Sequence, residues 1–157
     1  MRSGLWLALA VMAGVAAAEG WYGLGAPAAT AAKPACQSIA GNWSIQVDVT
    51  GGPQAGWSGS GSMDLSGTSS VGGPVSISFS NGVGASGQAS GTYKCANGEL
   101  DLTLPLTVDE PEGYSFAQTY YVKASVTFQG ATAIAAGSTW TEGTGKNADS
   151  GSFSGQD

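Results

Sequence analysis

From Gly41 onward, apolar and polar residues alternate with a period of two. In "NWSIQVDVT", Trp43, Ile45, Val47 and Val49 fall on one face, and Asn42, Ser44, Gln46, Asp48 and Thr50 on the other. Such alternation marks a strand with one buried and one wet face. The pattern recurs. Trp57 to Leu65 predicts a second strand, and Val75, Ile77 and Phe79 alternate with serines in a third. The stretch from Ala85 to Cys95 predicts a fourth, with Ala85, Gly87, Ala89, Gly91 and Tyr93 on its inner face. Four leucines from Leu100 to Leu106, followed by Val108, form the inner face of a fifth. Pro105 lacks an amide hydrogen and marks an edge or a bulge there. Tyr114 to Gln129 predicts a long sixth strand, with Val122, Ala124, Val126 and Phe128 inward. Ala131 to Thr141 predicts a seventh, whose facing stays open because "ATAIAAG" alternates weakly. Gly151 to Gln156, around Phe153, predicts a short eighth.

Turn signals separate these segments: Gly51-Gly52-Pro53, Asn81-Gly82, Asn97-Gly98 and Gln129-Gly130. No segment past the N-terminal region carries a helical period. Short turns favour antiparallel neighbours in chain order, and closure removes exposed edges. The expected fold is therefore all-β, an antiparallel up-and-down barrel of about eight strands, with a β-sandwich as the alternative.

The N-terminus reads differently. A short basic start at Arg2 precedes the apolar run "LWLALAVMAGVAAA", Leu5 to Ala18. Glu19 ends it short of the roughly 20 apolar residues that a spanning helix needs. This layout predicts a signal peptide over residues 1–18 and export to the periplasm or the exterior, with no stable membrane anchor after cleavage. Residues 19–35, rich in Ala, Pro and Gly, read as a flexible spacer, and residues 36–157 as one domain.

Charge narrows the partners. Beyond Ala18, four lysines stand against eleven acids, a balance of −7. Nucleic acid is excluded as a partner, since phosphate binding needs clustered Lys and Arg. The chain has no histidine, so Ser-His-Asp and Cys-His catalysis are absent, and the expected reading is not an enzyme. The two cysteines, Cys36 and Cys95, are expected to pair in an oxidising compartment. No cofactor or metal is expected. The acidic turn at Asp109, Glu110 and Glu112 matches no EF-hand spacing.

Two short motifs carry a family resemblance. "CQSIAGNW" is a C-x4-G-x-W pattern formed by Cys36, Gly41 and Trp43, and "SGTY" spans Ser90 to Tyr93. Together they resemble lipocalin-like and avidin-like barrels of the calycin type. The resemblance implies an eight-stranded barrel with Trp43 closing one end and a small molecule held at the other. Ile45 stands where avidins place a polar biotin contact, and "GTY" falls in the fourth strand rather than the second. Biotin binding is therefore not implied.

Small inward residues on strands two and four face leucines and aromatics. Small must meet large or leave a hole, since interiors are densely packed. One expected function is a binding module holding a small apolar or amphipathic ligand in a cavity lined by Trp43, Trp57, Tyr93, Phe116, Phe128 and Trp140. The other is a surface module with a filled core that binds a protein partner, adhesin-like or protease-inhibitor-like. Of the adjacent Tyr120 and Tyr121, one must face outward.

Overall fold

A computed structural model describes residues 36–142 and 147–157. The expected signal peptide and spacer, residues 1–18 and 19–35, lie outside the described residues. Eight strands follow one another: β1 Gly41–Gly51, β2 Ser58–Gly67, β3 Ser70–Phe79, β4 Gly84–Lys94, β5 Glu99–Asp109, β6 Ser115–Gln129, β7 Thr132–Thr141 and β8 Ser150–Gln156. Each pairs antiparallel with its chain neighbour, and β1 pairs with β8, so the sheet closes. The barrel is the expected one, and the sandwich alternative falls, because closure leaves no second sheet to pack against.

The turns form where the sequence provides for them. Gly82, Gly98 and Gly130 adopt left-handed backbone, with φ of 85°, 69° and 67°. The Asn81 Oδ1 accepts the Val83 amide at 3.2 Å, and the Asn97 Oδ1 accepts the Glu99 amide at 3.2 Å. Asparagine side chains stabilise such turns by bonding their own backbone two residues on.

Two ends result. The cysteine end gathers the start of β1, the β2–β3, β4–β5 and β6–β7 turns and the C-terminus. There Cys36 and Cys95 form a disulfide with Cα atoms 5.6 Å apart. In the barrel β1 and β4 are not neighbours, so the bridge crosses the end rather than joining adjacent strands. Trp43 is wholly buried beneath it, and its indole Nε1 donates to the Ile39 carbonyl at 2.9 Å. The opposite end carries the other loops, among them residues 52–57 with the buried Gln54.

The glycine-rich inner faces of β2 and β4 are not empty space. A Cβ at Gly59 would come within 2.7 Å of the Phe79 ring, which already fills that volume. At Gly61 a Cβ would strike the Ser76 carbonyl oxygen at 1.9 Å. Glycine serves here to admit a bulky neighbour and to let backbones approach closely.

Candidate functional site

The barrel interior was one expected site, and its inward side chains are tightly packed. Ile45, Val47, Met63, Val75, Ile77, the four leucines of β5, Tyr120, Val122 and Phe153 are all buried. A hollow barrel would leave such side chains in contact with an internal surface. Instead, the enclosed space bounded by Val47, Ile77, Phe79, Leu104, Tyr120 and Thr139 measures about 10 Å³. That volume holds one water at most.

The six candidate lining residues do not converge. Trp43, Tyr93 and Phe128 lie toward the cysteine end, while Trp57 and Phe116 lie toward the other. Trp57 packs its ring on Phe79, with centroids 5.4 Å apart. These five pack in or against the core. Trp140 requires a correction: it points out of the barrel and is 39% exposed. The cause lies in its neighbours. Thr139 and Thr141 take the inward positions because this end of the interior is polar.

That polar end is a connected network. Asp149 is buried, and its Oδ1 accepts the Gln54 amide at 2.8 Å. The Asp149 amide donates to the Thr141 Oγ1 at 2.8 Å, and the Thr141 amide returns a bond to the Asp149 carbonyl at 3.0 Å. The Tyr120 hydroxyl donates to the Gln54 Oε1. Gln54 thus draws the β1–β2 loop into the barrel mouth as a plug. Nothing in the sequence signalled this: Gln54 sits between Gly52-Pro53 and Ala55-Gly56, where a solvated turn is the ordinary expectation.

Burial, and then the nearby Asp149 carboxylate, push the Tyr120 phenol up to about 12. An unfolded chain ionises tyrosine near pH 10. Above that pH the unfolded state loses this proton while the folded state keeps it. The resulting stability is fully present below pH 10 and is lost as pH rises through 12. We expect global stability to fall by about 2–3 kcal/mol from this group across that window. Tyr120→Phe should flatten the slope there, as read by denaturant titration at stepped pH. An unchanged slope in the variant contradicts the assignment.

The outer wall is divided chemically. Over β7, β8, β1, β2 and β3 it is hydroxyl-rich, with Asp48 and Asp64 as exposed acids of β1 and β2, around a shallow trough of about 730 Å³ whose lining of Ser44, Gln46, Ser60, Ser78, Ser154 and Gln156 among others carries no charge. Charge collects on β4 to β6. Lys94 and Lys123 reach Glu99 at 3.3 and 3.2 Å, and Lys123 lies 4.0 Å from Asp101. The Asn97 amide, with Lys123 and Lys94, holds the Glu99 carboxyl below its ordinary range.

Beside this cluster, Tyr121 and Trp140 are cross-strand partners on β6 and β7. Their rings stack at 5.9 Å with planes 20° apart. They border a groove of about 280 Å³ shared with Thr92, Asp101 and Thr103. The Tyr121 hydroxyl donates to Glu142, and this bond keeps the phenol protonated above its usual range. Among the described residues, no three His, Cys, Asp or Glu side chains gather to hold a metal ion. Comparison with protein-family models, with curated proteins and with solved structures finds no match.

Proposed function

We propose that this protein is an exported, non-catalytic binding module whose barrel is a solid scaffold and whose partner sits on its outer wall. The observation that carries this reading is the inversion of β7: its large aromatic residue faces out, stacked on Tyr121, while the interior is filled. Exposed aromatics at a patch poor in free charge are the residues from which binding surfaces are built. The Cys36–Cys95 disulfide is consistent with an oxidising compartment outside the cytoplasm. The lack of histidine and the pairing of Asp101 and Glu99 with lysines support a role without catalysis.

The rival reading places a small apolar ligand inside, as in the barrels that the C-x4-G-x-W motif resembles. Native mass spectrometry of the exported protein separates the two. The filled scaffold predicts the polypeptide mass alone, and no fluorescence gain by a lipophilic dye. A stoichiometric adduct of small mass would return the ligand to the interior.

A further inference from the structure

The groove at Tyr121 and Trp140 rests on the outer-wall reading above, and its chemistry narrows the occupant. The strand registers lay out the surrounding wall. One row across the strands reads Ser90, Thr103, Tyr121, Trp140 and Ser150. The next reads Thr92, Asp101, Lys123, Ser138 and Ser152. All ten positions lie on the outer face. Adjacent strands are about 4.8 Å apart, so a row crossing five strands spans roughly 19 Å.

Charge decides among the classes of ligand. An anionic ligand would need free cations, but among the described residues of this wall Lys94 and Lys123 are engaged by Glu99 and Asp101. A cationic ligand would need free carboxylates, but Asp101 lies near Lys123 and Glu142 accepts the Tyr121 hydroxyl. What remains on offer is an apolar ring surface flanked by uncharged hydroxyls in rows. That combination suits a ligand with flat C–H faces and a rim of hydroxyl groups. We infer that the groove binds a neutral polysaccharide, with Trp140 and Tyr121 forming the stacking platform for sugar rings and Thr103, Thr92, Ser150 and Asp101 bonding sugar hydroxyls. The extended row fits a chain of several sugar units better than a single sugar. Beyond Ser150 and Ser152 the outer wall of β8 and β1 is mostly serine and glutamine, with the Asp48 carboxylate, bonded by the Ser58 hydroxyl, beside Ser152, and a neutral chain meets no net repulsion from it.

The acidic exported protein migrates in native gels, which makes affinity electrophoresis the direct test. The probes are hydroxyethylcellulose and galactomannan as neutral polysaccharides, with heparin as a polyanion and chitosan as a polycation. At least one neutral polysaccharide is expected to retard the protein, and heparin and chitosan are not. Trp140→Ala and Tyr121→Ala are each expected to weaken retardation at least tenfold. Both side chains are on the surface, so the variants should keep the parent's melting behaviour. Tyr114→Ala, which removes a 68% exposed aromatic outside the groove, is expected to change nothing. The inference is overturned if neither neutral polysaccharide retards the protein, if a charged polymer retards it instead, or if Trp140→Ala binds like the parent. Failure here, combined with partner-induced protection of Trp140 from oxidation, would remove the sugar and leave the outer-wall reading standing.

Discussion

Replacing Trp43 by alanine is expected to destabilise the protein by about 4 kcal/mol, the range for emptying a fully buried aromatic site. The ring is wholly buried at the cysteine end, and its Cε3 lies 3.3 Å from where a Cβ on Gly155 would stand. On the β8 side the adjacent wall is Gly155 backbone, which has no side chain to fill the space, and on the β2 side stands the already buried Met63. The loss has a second part. The Ile39 carbonyl, now bonded by the indole at 2.9 Å, would be left without its partner in a buried place, at about 1–3 kcal/mol. Denaturant unfolding of the alanine variant should show a lower midpoint with an unchanged slope. Trp43→Phe should fall between parent and alanine, since it keeps apolar volume but not the donor. A loss below about 1 kcal/mol for alanine would mean that the end is not closed by this residue.

The second large effect is expected at the disulfide. Cys36 and Cys95 are separated by 59 positions, and closing a loop of that length removes unfolded-state entropy worth about 4 kcal/mol. The bridge also ties residues 36–40 across the barrel end above Trp43. The double Cys→Ser variant should lose stability by about that amount and keep its fold, because the hydrogen-bonded closure from β1 to β8 does not depend on the bridge. Thiol titration of the oxidised, denatured parent should find no free thiol. Two free thiols, or a double variant as stable as the parent, would contradict a structural role.

Trp43 and Cys36 belong to the same entry segment, so their losses should not add. Each already loosens residues 36–43, and the combined variant should lose less than the sum.

Much of this fold was readable because closure imposes one rule on every strand. A barrel wall has one dry and one wet face, so period two marks the strands other than β7. Asn-Gly turns then fix where the strands meet, as at Asn81 and Asn97. The exception, β7, is physical. Its apolar Trp140 faces water and its Thr139 and Thr141 face inward, an inversion of the usual hydropathy rule. The reason lies on a different loop: Asp149 is buried and needs partners. Alternation within a strand cannot reveal what a neighbouring loop inserts into its barrel end. Gln54 was hidden for the same reason. The glycines of β2 and β4 were legible as small and inward, but not in their use. Whether small means hollow depends on what comes from across the barrel, and Phe79 over Gly59 decides it. Tyr121 and Tyr120 were correctly forced to opposite faces by adjacency, yet only the register placed Tyr121 against Trp140.

The central claim is that the inside of this barrel is structural and the outside binds. Hydroxyl-radical footprinting reads both sides at once. The protein is exposed to radicals with and without the extracellular material of the cells that make it, and oxidation at Trp43, Trp57 and Trp140 is quantified by mass spectrometry. Trp140 should be the most oxidised of Trp43, Trp57 and Trp140 in the free protein and should become protected when partner is present, while Trp43 stays unreactive throughout. Trp140 equally oxidised in both conditions, together with a change at the interior-facing Trp57 or Trp43, would contradict the account and place the ligand within the barrel.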